Sequence, residues 1–250
     1  MPKARVIPTL LTDGVSLVKG MSFQSWRTVG VVVAAAQVFS LRDVDELALL
    51  DVSATREQRT IDPRVVEAVA ECLSIPLAVG GGITSLQDVE VLLRSGADKV
   101  VIGSALTAKP GFISDAAAHF GSQAIVGSVD ATDDSGASIS TRSGAQKESI
   151  SVLEAVRMFE DLGAGEILLQ SVARDGLLSG MDQHTIARVC EMATIPVIAS
   201  GGAADYEDLL AALRSGASAV AAGAMFQFTQ QTPRGAREYL AERGIAVRRA

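Results

Sequence analysis

The sequence predicts an α/β protein: a single (β/α)8 TIM barrel spanning residues 1–250. Three observations carry that expectation. Strand-like and helix-like patterns alternate eight times along 250 residues, the size and rhythm of such a barrel. The chain also repeats itself, so the barrel reads as two (β/α)4 halves, approximately 1–122 and 123–250. Finally, 48% of the residues are hydrophobic, 20% charged and only 4% aromatic. An apolar mass made of Val, Leu, Ile and Ala suits parallel strands buried on both faces.

The repeat is visible by eye. IPLAVGGGITSLQDVEVLLRSGADKVVIGSAL at 75–106 aligns without a gap with IPVIASGGAADYEDLLAALRSGASAVAAGAMF at 195–226, an offset of 120. DELALLD at 45–51 answers GEILLQS at 165–171, which sets Glu46 opposite Glu166. Strands are expected at 5–11, 46–52, 76–80 and 99–103, then at 124–130, 166–171, 196–200 and 219–222. Helical patterns fill 31–41, 62–73, 85–95, 109–120, 150–163, 183–193, 205–215 and 233–243. Thr84-Ser85 and Asp205 are placed to cap helices, and Gly96 and Gly216 to end them. A doubly wound open sheet is the rival fold, but it does not explain a half-chain repeat. In a barrel, the chemistry belongs at the C-terminal ends of the strands.

Composition narrows the function. The net charge of −7 gives no general attraction to nucleic acid or anionic lipid. No apolar run reaches the ~18 residues of a membrane span, and the first residues lack a signal-peptide core. Cys72 and Cys190 lie far apart in expected helices and form no disulfide framework. The expectation is a cytoplasmic protein, with no metal and no cofactor.

Several residues carry candidate chemistry. Gly81-Gly82 and Gly201-Gly202, the latter after Ser200, follow a strand and open a helix. Gly103-Ser104 and Gly223-Ala224 end the next strand in each half. Together they read as two phosphate cups facing each other across the barrel mouth, or as glycines that merely permit tight turns. Asp51 and Asp130 end apolar strands and are expected to point into the mouth, where an acid can move protons. A capping role is the plainer reading. Asp175, in the loop after the sixth strand, fits capping, binding or catalysis. At the other end, Arg5, Glu46, Lys99 and Glu166 each begin a strand. They read as solvated edges or as a salt-bridge ring on the barrel axis. The segment 12–30, with Lys19 and Trp26, is expected to be a long loop or lid. His119 and His184 stand alone in expected helices, where packing or surface roles are the ordinary ones.

The blocks RVIP, LVKG, DELALLDVSA, PLAVGGGI, GADKVVIGSA, FGSQAIVGSVDA, GAGEILLQSVARDG and PVIASGGA together resemble the cyclase subunit of imidazole glycerol phosphate synthase, across essentially the whole chain. The resemblance implies a glutaminase subunit docked on the N-terminal face, near Asp98. It implies ammonia conducted along the barrel axis, past a gate of Arg5, Glu46, Lys99 and Glu166. It implies a phosphorylated small molecule at the C-terminal face, held by Lys19, Asp51, Asp175 and the two glycine cups. Asp130 matches one of that family's two catalytic aspartates. The other falls at position 11, which is leucine.

Further departures lie at the same end. Thr9 stands where the family has Cys, Gly103 where it has Asn and Gln170 where it has Thr. Ala173 stands where it has Asp, Ala224 where it has Ser, and Val31-Val32 where it has Asp-Pro. This combination, with LVKGMSFQSWRTVG and the tail FQFTQQTPRGAREYLAERGIAVR, resembles the glycosyl amidation-associated proteins. That implies ammonia delivery to a separate amidotransferase acting on a nucleotide-linked surface sugar. The alternatives are the cyclase reaction itself, with Asp13 replacing the missing acid, and a scaffold that only activates a glutaminase. The related histidine-pathway isomerase fits less well.

Overall fold

The computed structural model describes residues 3–42 and 44–248. Eight parallel strands close into a barrel: β1 (Arg5–Thr12), β4 (Leu47–Asp51), β5 (Leu77–Gly80), β6 (Lys99–Ile102), β7 (Ile125–Ala131), β10 (Glu166–Ser171), β11 (Val197–Ser200) and β12 (Ala219–Ala222). Each pairs with the next, and β12 pairs back to β1 with Arg5 opposite Ala219. The expected strands agree with these to within a residue or so.

Between the strands lie α1 (Val32–Ser40), α2 (Pro63–Ala70), α3 (Leu86–Arg94), α5 (Pro110–Phe120), α6 (Val152–Asp161), α7 (Gln183–Met192), α8 (Tyr206–Arg214) and α10 (Pro233–Glu242). Two single-turn helices, α4 (Ala105–Ala108) and α9 (Ala224–Phe228), precede α5 and α10. Local chemistry sets their ends. Ser85 and Asp205 close reciprocal capping boxes with Asp88 and Asp208. Gly96 and Gly216 take φ of +101° and +107°, a backbone state that glycine adopts without strain. Cys72 lies two residues beyond α2 rather than inside a helix, and both cysteines are free.

Two hairpins were not anticipated. The expected loop at 12–30 is an ordered pair, β2 (Ser16–Met21) and β3 (Gln24–Val31), continuing from β1. The matching place in the second half holds β8 (Ile139–Thr141) and β9 (Gln146–Glu148), continuing from β7. β3 is mostly exposed, so it lacks the alternation that marks a half-buried strand. Its Trp26 ring lies against Gly20 of the same hairpin and near the Phe23 ring.

Alternation along each strand sorts side chains into two layers. Val6, Leu10, Leu47 and Leu49 join the core between sheet and helices. Ile7, Ala48, Ala78, Val101, Val126, Leu168 and Ile198 fill the barrel axis. This sorting decides which residues reach the mouth.

Candidate functional site

At the N-terminal end of the axis, four charges form a closed ring. Arg5 gives Nη1 to Glu46 at 2.6 Å and Nη2 to Glu166 at 2.6 Å. Lys99 Nζ completes it, 3.0 Å from Glu46 and 2.8 Å from Glu166. All four side chains are largely buried. Burial works against the Arg5 charge, but the two carboxylates more than offset this and raise its pKa. Two cations and two anions alternate, so each buried charge has opposite neighbours. The expected ring of salt bridges is thus present. Asp98 sits at the same end, exposed, accepting the main-chain N–H of Leu77 at 2.9 Å.

At the C-terminal end, a cavity of about 430 Å³ opens at the mouth. Asp130 alternates with Val126 and Ser128, so it faces the axis and lines this cavity. Burial raises its pKa to about 7, against the hydrogen bond from Ser128 Oγ at 3.1 Å; nearby Asp175 pushes the same way as burial. A carboxyl tuned there can act as acid or base near neutrality. Leu11, one of the apolar walls, lines the same cavity. Asp13 is exposed at the bend after β1, outside the lining.

Asp51 also borders the mouth cavity, beside Leu50. It shares a strand face with Leu47 and Leu49, while Leu50 takes the axis-facing place, so its carboxylate is turned toward the loop rather than the axis. Its Oδ1 accepts the N–H of Ser53 at 2.9 Å and of Ala54 at 3.0 Å, while Oδ2 holds Arg59 at 2.7 Å. The carboxylate is occupied in building the loop after β4. A strand's last residue falls on either face according to register, and the residue type does not reveal which.

The two glycine cups share a backbone but not a shape. A β-carbon at Gly82 would stand 1.9 Å from the Arg59 carbonyl oxygen, and one at Gly202 2.3 Å from that of Gly180. Gly81, Gly82, Gly201 and Gly202 all have positive φ. These glycines are therefore required by the chain's own packing. Gly81, Gly82, Gly103 and Ser104 line the large cavity. Ser200, Gly201, Gly202, Gly223 and Ala224 line only a space of about 20 Å³. Lys19, 5% exposed, explains the difference, because its Nζ would lie 2.1 Å from a β-carbon on Gly223. Burial lowers the Lys19 pKa, opposed by the Asp175 carboxylate. Asp175, also buried, is pushed up by burial, opposed by Lys19 and by Gln170, whose Nε2 donates at 3.1 Å.

The hairpins roof the mouth. Ser22 of the first donates its N–H to the Asp175 carbonyl at 2.9 Å and its hydroxyl to the Ala173 carbonyl at 3.1 Å. Arg142 of the second donates its N–H to Ser104 Oγ at 2.8 Å. Phe23 meets Gly144 where the two turns touch. Ser128, Gln170 and Arg142 escaped sequence reasoning as working parts of the site. The first two carry a detectable signal, since they flank or alternate with acids on predicted strands. Arg142 carries none, because its placement depends on the hairpin after β7 folding onto the loop after the neighbouring strand β6. Among the described residues, no helix is long and apolar enough to cross a membrane.

Comparison with known proteins agrees with this architecture. Residues 5–232 match the family described as histidine biosynthesis protein. The chain is 42% identical, over 251 aligned positions covering 98% of both proteins, to the imidazole glycerol phosphate synthase subunit HisF of Thermobifida fusca (strain YX). The full-length similarity, together with the barrel that carries the site, shows that the chain belongs to the histidine biosynthesis protein family, as a relative of the HisF subunit.

Proposed function

We propose that the chain is the ammonia-conducting barrel subunit of a glutamine-dependent amidotransferase, working with a glutaminase docked on its N-terminal face. The observation that carries this reading is the closed Arg5–Glu46–Lys99–Glu166 ring across the axis. Buried ion pairs seldom outdo apolar packing as a stability device. A polar ring below an apolar axial layer instead suits a barrier that small neutral molecules pass. The relation to HisF supports the same partner and the same use of ammonia.

The relative's own reaction is the first candidate for the acceptor: cyclisation that yields imidazole glycerol phosphate, with Asp130 as acid or base. Leu11 favours a second reading. A leucine carries no proton, and a positioned proton carrier contributes about 10²–10⁴-fold. On this reading ammonia leaves the mouth for another acceptor, a surface-polysaccharide sugar handled by a separate amidotransferase.

Two experiments address the two levels. The chain is mixed with a glutaminase subunit of the imidazole glycerol phosphate synthase kind, and glutamine hydrolysis is followed with and without it. Stimulation that is lost in Lys99→Ala supports the coupled subunit, and no stimulation sinks it. Rescue of a histidine auxotroph lacking the cyclase would decide for the relative's reaction and against the sugar.

A further inference from the structure

Asp130 stands between two strand partners at the mouth. Beyond the end of β6, the hairpin strand β8 takes over that edge of β7. Asp130 therefore pairs with Ser140 on one side and with Gln170 of β10 on the other. Partners across a ladder project on the same face of the sheet, with β-carbons about 4.5–5.5 Å apart in antiparallel pairs. The apolar neighbours obey this rule. Ala131 and its partner Ile139 both join the core between sheet and helices, whereas Val126 lies on the axis. Ser140, one residue on from Ile139, thus faces the interior of the mouth beside the Asp130 carboxyl.

The other polar neighbours of the acid are committed. Ser128 donates its hydroxyl to Asp130 Oδ1 at 3.1 Å, and Gln170 gives its Nε2 to Asp175. Ser140 is not committed. It is 6% exposed, and its Oγ is buried without a hydrogen-bond partner among the described residues. An unpaired buried hydroxyl is costly, and its position calls for a reason.

The neighbour that changes state supplies one. A neutral carboxyl tolerates burial with one hydrogen bond, whereas a buried carboxylate needs further donors. Rotation about χ1 moves a serine Oγ among three staggered positions, so the hydroxyl can turn without any backbone shift. The charged groups around the mouth do not take this role. Asp51 holds Arg59, and Glu148 accepts the Thr141 hydroxyl at 2.9 Å. Lys109 and Arg142 are exposed at the lining. Asp175, opposed by Lys19, acts on Asp130 only by disfavouring its charge.

We propose that Ser140 is a positioning residue for Asp130: its hydroxyl turns to the carboxylate once the proton has left for the bound molecule or for water. Ser128 and Ser140 then hold the ionised acid toward the cavity together. This rests on the reading of Asp130 as the acid or base of the mouth. Titrating Asp130 needs neither turnover nor a glutaminase, so failure here is distinct from failure of the coupled-subunit reading.

Carboxyl-carbon NMR of the full chain with isotope-labelled aspartate follows the titration, and Asp130→Asn assigns the signal by its loss. Ser140→Ala should make Asp130 about three- to tenfold weaker as an acid. Ser128→Ala, which removes a donor already engaged, should do the same. Ser140→Thr keeps the hydroxyl and should stay within about twofold of the unaltered chain. Melting temperatures separate this role from packing. At about pH 5 Asp130 is protonated and the hydroxyl is unpaired, so Ser140→Ala should be at least as stable as the unaltered chain. At about pH 8 the carboxylate has lost a donor, so the same variant should be less stable. An unchanged Asp130 midpoint in Ser140→Ala, or an equal loss of stability at both pH values, would overturn the proposal.

Discussion

Leu11 and Asp130 line one cavity from equivalent strands of the two halves, one as an apolar wall and the other as a buried acid. Leu11 is 6% exposed and pairs with Leu50 across β1 and β4. A carboxylate introduced by Leu11→Asp would stand in the same low-dielectric mouth as Asp130. The fold should lose about 1–3 kcal/mol through lost burial and a desolvated charge. The loss should be larger at about pH 8 than at about pH 5, where carboxyls so placed take up protons. Urea denaturation at the two pH values measures it, and a pH-independent loss would count against the buried-acid description.

Asp130 itself makes a second test. Burial lifts its pKa from 3.8 to about 7. Between those values the folded chain holds a proton that the unfolded chain releases, so its contribution to stability falls as pH rises through that window. Asp130→Asn should therefore be near neutral at about pH 4 and stabilising, by up to about 4 kcal/mol, at about pH 8. Thermal melts across this range show whether the gap widens with pH as required.

The ion-pair ring predicts an asymmetry between single and double changes. Arg5→Ala leaves Glu46 and Glu166 with Lys99 alone and should cost about 3 kcal/mol. Arg5→Ala combined with Glu166→Ala should cost clearly less than the sum of the two single losses. Additive losses in a double-mutant cycle would mean that the four charges do not act as a unit.

The glycine pair tests the unequal cups by stability alone. Gly223→Ala drives a methyl into Lys19 Nζ and should cost about 1–3 kcal/mol. It should also raise Lys19 labelling by amine reagents, read by mass spectrometry. Gly103→Ala meets only Ser128 at 3.6 Å and should cost under about 1 kcal/mol. Equal costs would show that the two cups are equally open.

Strand order, helix ends and the apolar layers were legible because they depend on local periodicity and on a repeat that can be laid over itself. Asp130 lines the mouth, the four charges meet at the opposite end, and the glycines sit in turns, all positions that strand order alone sets. Asp51 borders the mouth cavity at the expected strand end, but its carboxylate is taken up by Ser53, Ala54 and Arg59, contacts that depend on how the loop after β4 folds back. The hairpins were missed because β3 and β9 largely face solvent, while the short buried runs of β2 and β8 show no alternation.

By itself, the sequence determined that this is a barrel of two like halves with leucine where its counterpart strand carries an acid. Those facts reside in residue identity and spacing along the chain. Only the tertiary structure decided that Arg5, Glu46, Lys99 and Glu166 close into one ring, and that Lys19 crosses from the first hairpin into the second cup. The ring joins residues 41 to 161 apart, and the Lys19 contact with Gly223 reaches farther still; both depend on strand register and on how a hairpin folds over the mouth. Neither is encoded in any short window of sequence, so two cups that read alike can be built to hold different things.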